Sequence, residues 1–177
     1  MLQGSLVTLR ARHPDDVPVL QAELHDDVTT RVRADNRPWR PVPPLPEHSP
    51  YAVTAPTDDA ACFSVLERAG GELAGEALLW GIDGHNRCAH VGIALRPAHR
   101  GRGLAADTVR TLCHYGFRVL GLQRLQIETL TDNEPMIRAA RAAGFTVEGT
   151  LRASAWVCGE FVDQTVLGLL AREWRDR

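Results

Sequence analysis

The sequence predicts an α+β (mixed α/β) fold, with helices packed on a central, mostly antiparallel mixed sheet of six to seven strands. Three observations predict it. The elements read in the order strand, helix, loop, three-strand meander, helix, strand, helix, long hairpin. Gly70-Gly71 joins two apolar runs with the spacing of a hairpin turn. The last third alternates cleanly, with Phe145, Val147, Leu151, Ala153, Ala155 and Val157 on one face, before the chain turns at Cys158-Gly159 and returns.

Leu6 to Ala11 reads as the first strand. Pro14, Asp15 and Asp16 then start a helix with Leu20 and Leu24 on one face. The prolines between Arg37 and Tyr51 forbid regular helix or a central strand, so this stretch is a long surface loop with Trp39 as its apolar anchor. Ala61–Arg68, Glu72–Ile82 and Ala89–Pro97 form the meander. Val109, Leu112, Cys113, Gly116, Phe117 and Leu120 recur at helical steps. Leu125–Thr131 is the next strand. Asp132 or Asn133 caps a helix with Pro135 in its first turn, Ile137 and Ala140 inward, and Gly144 at its stop. Val162–Leu170 closes the hairpin.

A chain of 177 residues suggests one domain, 1–177. At 44% hydrophobic residues it can build a core without disulfides or metals. A formal net charge of −2 gives no global basic field for nucleic acid or an anionic membrane. No apolar stretch approaches the roughly 20 residues of a membrane span. The N-terminus lacks the charged and apolar regions of a signal peptide, so none is expected. Cys62, Cys88, Cys113 and Cys158 form no CxxC pair, which points to reduced thiols in a cytoplasm and to no metal site.

The chemistry concentrates at RPAHRGRGLA, Arg96 to Ala105, between the last meander strand and a helix. Glycines let the main chain approach a ligand. A helix N-terminus offers free N–H groups and partial positive charge. Arg100 and Arg102 add charge suited to phosphate oxygens. A phosphate or pyrophosphate site and an ordinary strand–helix turn with solvated arginines both fit these residues. No GKS or GKT follows, so this is no P-loop. The preceding strand belongs to a meander, which also argues against a dinucleotide-binding fingerprint.

RGRGLA, Arg100 to Ala105, resembles the acyl-CoA pyrophosphate loop of the GCN5-related N-acetyltransferases (GNAT), Gln/Arg-x-x-Gly-x-Gly/Ala. Asn133-Glu-Pro-Met followed by Ala-Ala-Gly-Phe145, Glu148–Arg152, Gly159-x-x-x-Asp163 and Glu173-Trp174 resemble the RimJ/RimL type within that family. The resemblance implies the GNAT fold, with the sheet splayed at a cofactor cleft and flanked by about four helices. It also implies acyl transfer from acetyl-CoA, or another acyl-CoA, to an amine by direct attack. Ile93, Ala94 and Leu95 would pair with pantetheine through their main chain. Arg100, Gly101, Arg102, Gly103, Leu104 and Ala105 would hold the pyrophosphate. Asn133 would contact the cofactor arm, cap its helix, or do both.

His90 is the leading candidate base, near where relatives carry a glutamate or histidine, with Gly92 and Ala94 leaving room beside it. A strand bulge would shift that position to Ala89, and a histidine with no proton role also fits. Glu128 and Glu76 are lesser candidates; His85 and His99 fall in turns and read as solvated. Two departures from relatives matter. Ala140 stands where some carry tyrosine, and Met136 where others carry serine, so no general acid is evident. A thiolate with a pKa of ~8.5 leaves tolerably without one. An α-amine titrating near ~8 needs less help than a lysine near ~10.4.

The expected partners are acyl-CoA and an amine acceptor, a protein N-terminus or a small amine, with assembly up to a homodimer left open. Two other functions share these residues. One is a CoA-binding regulatory protein with weak or no turnover. The other is a small-molecule or antibiotic acetyl- or succinyltransferase. Trp39, Trp80 and the proline-rich loop could line either acceptor pocket, and Arg33, Arg37 or Arg40 would suit a succinyl carboxylate.

Overall fold

The computed structural model describes residues 1–35, 37–43 and 45–175. Among them, eight strands form one sheet: β1 (Leu2–Gln3), β2 (Val7–Arg10), β3 (Ala60–Glu67), β4 (Leu73–Asp83), β5 (Cys88–Leu95), β6 (Arg124–Leu130), β7 (Thr146–Val157) and β8 (Glu160–Leu170). Their spatial order is β1-β2-β3-β4-β5-β6-β8-β7. The two-residue β1 on the edge takes the count beyond the six or seven read from the pattern; it is too short to leave a periodic signature.

Every neighbouring pair is antiparallel except β5 and β6. Those two run parallel because helix α3 (Leu104–His114) crosses over between them. α3 and α4 (Glu134–Ala142) pack on one face of the sheet, where Val109, Leu112, Cys113, Ile137 and Ala140 meet Val7, Leu9, Ala77, Leu79, Val91 and Leu125 in the main core. Burial pushes the Cys113 thiol up to about 12, so it acts there as an inert hydrophobe. A π turn, Tyr115–Val119, extends α3 and buries Gly116 and Phe117 while leaving Leu120 exposed.

α1 (Asp16–Leu24) lies on the opposite face, with Leu20, Leu24 and Tyr51 buried against Leu73 and Ala94. A second helix, α2 (Val28–Ala34), follows it. The sequence pattern misses α2 because it buries no residue, so it carries no apolar stripe. Asp27 caps it by accepting from the N–H groups of Thr29 and Thr30. The proline-rich loop runs over the surface, broken by a 3-10 turn at Pro46–His48; its Pro44 lies outside the described residues. Trp39 anchors the loop, donating Nε1–H to the His25 carbonyl at 3.0 Å and stacking on the His25 ring.

The C-terminal hairpin departs from its simple alternation. Phe145, Ala155 and Val157 are buried, whereas Val147, Leu151 and Ala153 are exposed. Two register shifts against β8, at Val147/Gly149 and Leu151/Ala155, turn the strand and break the period of two.

Candidate active site

β5 and β6 are paired only at Cys88↔Arg124, Ala89↔Leu125 and His90↔Gln126. β5 then stays with β4 as far as Leu95, and β6 stays with β8 as far as Leu130. Val91–Leu95 and Ile127–Leu130 therefore diverge as the two walls of a cleft. The Arg96 N–H donates to the Ala74 carbonyl at 2.9 Å on β4. Main-chain groups alternate in direction along a strand. Ile93 and Leu95 therefore direct their N–H and C=O into the cleft, and Ala94 directs its own toward β4. Leu95 shows this directly, since its carbonyl accepts the Arg100 Nε–H at 2.9 Å instead of a β4 donor. The expectation that Ala94 shares the cleft-facing main chain fails for this reason. Its methyl packs beneath α1 instead.

The cleft leads to the Arg100–Ala105 turn. Gly101 and Gly103 have φ of +73 and +80, a left-handed conformation that L-residues avoid. A Cβ at Gly101 would meet nothing within 4 Å, and one at Gly103 only Leu6 Cδ1 at 3.5 Å. The turn is thus open on the outside. Among the described residues, the N–H groups of Gly101, Arg102 and Gly103 have no backbone acceptor. Leu104 and Ala105 begin α3, whose first N–H groups are free by construction. The turn presents a row of N–H donors at a helix N-terminus, the arrangement that holds an anion.

The two arginines are less free than the pattern implies. Arg100 is bound to Leu95, as above. Arg102 pairs with Glu67, which also accepts from or donates to His99 Nδ1 at 3.2 Å according to protonation. His99, expected in solvent, is only 3% exposed. It supports the turn from beneath.

His90 stacks on Trp80, ring centroids 4.2 Å apart and planes 20° from parallel. Its neighbour Gly92 does not leave the expected room, because Leu78 fills it: a Cβ there would lie 2.8 Å from Leu78 Cδ2. Glu128 on β6 faces His90, with Oε1 3.8 Å from Nδ1. Glu76, on the same sheet face, is held by Arg12 at 2.8 Å, and burial pushes its carboxyl up despite that partner. It is occupied rather than poised. Ala89, the alternative register, is core. His85 lies in an exposed turn.

Asn133 uses both ends of its amide within the fold. Its Oδ1 accepts from the Met136 N–H at 3.3 Å and its Nδ2 donates to Thr129 Oγ1 at 2.9 Å. It caps α4 and ties the cap to β6. Arg33 forms a two-point bridge to Asp132, and Arg37 pairs with Asp35, so neither is spare. Sequence reasoning missed Gln126 and Arg124, which brace Glu128. Polar residues at alternate strand positions were their only signal.

Among known proteins, the family model described as the acetyltransferase (GNAT) domain matches residues 7–146. An uncharacterized N-acetyltransferase, p20 of Bacillus licheniformis, is 32% identical over 112 residues, 63% of each chain. The spermidine N(1)-acetyltransferase of Escherichia coli is 35% identical over 91 residues, 51% of this chain and 49% of that one. The matched stretch thus spans less than two thirds of the length of these curated relatives. The spermidine N-acetyltransferase of Vibrio cholerae, solved with CoA and spermine, superposes with a TM-score of 0.77 at 18% identity, covering 96% of this chain and 98% of that one. RimJ of Mycobacterium smegmatis, solved with CoA-disulfide, gives 0.75 at 20% identity, covering 94% and 83%. At such identities these structures bear on the fold alone.

Proposed function

The chain belongs to the acetyltransferase (GNAT) family, and from that premise we propose that it transfers an acyl group from acyl-CoA, acetyl-CoA in the first instance, to a primary amine. One observation carries the reading: the cleft between β5 and β6 opens beside His90 and leads to the N–H-lined turn at Gly101–Gly103. A cofactor laid along it sets its pantetheine against the main chain of Ile93 and Leu95. Its pyrophosphate then meets the turn from Arg100 to Ala105.

The donor supplies a thioester carbonyl as electrophile. His90 accepts the amine proton as the N–C bond forms. The C–S bond then breaks, and the thiolate leaves and takes a proton from water. Main-chain N–H groups on the β5 wall stabilise the oxyanion. Asn133 serves as cap and strut rather than as a free cofactor contact. Ala140 and Met136 provide no acid, consistent with a thiolate leaving unassisted.

The acceptor is a protein N-terminal α-amine or a small amine, in a cytoplasmic setting. The RimJ/RimL-type motifs around Asn133 and Glu148 support the first; the similarity to spermidine acetyltransferases supports the second. Thiol release from acetyl-CoA and succinyl-CoA, measured against peptides and small amines including spermidine, tests the reading. The chain contains no lysine, so release without added acceptor reports hydrolysis or acylation of its own α-amine and thiols rather than of lysine side chains. CoA binding without thiol release for any acceptor would leave a binding protein instead.

A further inference from the structure

We propose that Glu128 is the positioning residue for His90, fixing which ring nitrogen carries the proton; this rests on the reading of His90 as the base. Trp80 holds the imidazole plane by stacking. What remains to be set is the tautomer. The two ring nitrogens sit in different surroundings. Nδ1 is sealed from solvent and has no hydrogen-bond partner. Glu128 Oε1 lies 3.8 Å from it. Nε2 is not among the sealed atoms, and among the described residues nothing bonds to it; the side chain as a whole is 30% exposed.

Glu128 is itself held. Its Oε1 accepts from Gln126 Nε2 at 2.7 Å. The Gln126 Oε1 accepts from Arg124 Nη2 at 2.8 Å. Arg124 also binds Glu148 on β7, with Nη1 2.8 Å from Oε1. The order of this chain is forced by chemistry. A guanidinium only donates, so Gln126 must turn its oxygen to Arg124 and its NH₂ to Glu128. Glu128 must then accept, which is what an ionised carboxylate does. A carboxylate aimed at a sealed Nδ1 repels a lone pair there and attracts a proton. His90 is thereby set with the proton on Nδ1 and the basic lone pair on Nε2. The same charge stabilises the imidazolium once Nε2 takes the amine proton.

Glu128→Leu removes the acceptor, and Glu128→Gln removes only the charge should the apolar variant fail to fold. Opposite unit charges about 4 Å apart at a half-buried site are worth a factor of about ten or more. Either variant is therefore expected to lower kcat about tenfold or more, with KM for acetyl-CoA within about twofold. In a His90→Ala background the same change costs less than about twofold, because the residue it serves is gone. ¹⁵N-edited imidazole spectra of the wild type are expected to place the neutral proton on Nδ1 of His90, and those of Glu128→Leu to show it moved toward Nε2. A wild-type proton on Nε2, or an equal loss with and without His90, overturns the proposal. The spectra need no turnover. A chain that releases no thiol defeats the acyl-transfer reading, while the wild-type tautomer still judges this one.

Discussion

Gly103→Val separates a cofactor loop from a mere turn. The residue has φ +80, and a left-handed backbone costs an L-residue about 1–2 kcal/mol, with a β-branched one at the upper end. The nearest atom to a new Cβ is Leu6 Cδ1 at 3.5 Å, so no packing clash is added. A loss of about 2 kcal/mol leaves a domain with a typical stability of about 5–15 kcal/mol folded. Binding is affected much more. The isopropyl group stands where phosphate oxygens must approach the N–H groups of Gly101–Gly103. Charge-assisted hydrogen bonds contribute about 1.5–3 kcal/mol each. Losing two weakens CoA about 10²–10⁴-fold. Gly71→Val is the matched control. Its φ is +72, nothing lies within 4 Å, and it sits in the β3–β4 hairpin away from the loop. The two variants are compared by thermal melting and by calorimetric titration with CoA. Similar melting temperatures with CoA affinity lost only in Gly103→Val are expected. A Gly103→Val protein that binds CoA within about threefold of wild type refutes the loop.

His90→Ala is expected to cost about 10²–10⁴-fold in kcat with CoA affinity retained, and the loss shrinks at high pH, where amine is free without a base. A pH-independent loss of a few fold removes His90 from that role. Asp107→Ala strips the carboxylate that accepts from the N–H groups of Ser5, Leu6 and Val7 at 3.2, 2.7 and 3.0 Å. Urea denaturation should show a loss of about 2–4 kcal/mol, most of it from the sealed Val7 N–H, and under 1 kcal/mol would contradict that accounting. Asp16 is held at a pKa of about 2 by the Arg10 guanidinium, the His13 N–H and the Ser64 hydroxyl, which outweigh the opposing effect of burial. Its folded pKa lies below the unfolded value, so it contributes about 2 kcal/mol at neutral pH. That contribution is lost as pH falls from about 4 to about 2, and Asp16→Asn should flatten this limb of the acid-denaturation curve.

The sequence was most legible where one face is buried and the backbone regular. The meander, α3 and α4 show their periods because half of each element packs into the core. α2 was invisible because it caps and pairs charges and sets only Val32, half-buried, against Leu130, Ala155 and Val157, too little for an apolar stripe. The turn itself could be read from Gly101 and Gly103, which both take a left-handed conformation beside a helix start, but the glycines fit an ordinary turn as well as a phosphate loop. The state of its arginines could not be read, because Glu67 lies 35 residues from Arg102 and only the sheet brings them together. His90 was singled out by its place on the strand before the turn, near where relatives carry a glutamate or histidine. Its environment was hidden: Trp80 comes from one neighbouring strand and Glu128 from the other. Reading Gly92 as space failed because a missing side chain on one strand invites a long one, Leu78, from the next.

The cleft has a cost, and that cost says something about what fills it. β5 has β4 on its outer side and β6 has β8, so each keeps one full ladder after the two separate at His90 and Gln126. The inner ladder is forfeited. Ile93 is left with main-chain donor and acceptor groups facing the gap, and Leu95 recovers only one bond, from Arg100. Buried polar backbone is rarely left unpaired, and leaving it so costs free energy. Water can meet that need, but an extended ligand with its own amides meets it with less ordering of solvent. A few residues further along the chain, the free N–H groups at Gly101–Gly103 ask for anionic oxygens instead. One ligand serves both places only if it carries amides along one end and phosphate at the other. The acyl-CoA proposed above has that chemistry, with amides in its pantetheine and anionic oxygens in its pyrophosphate.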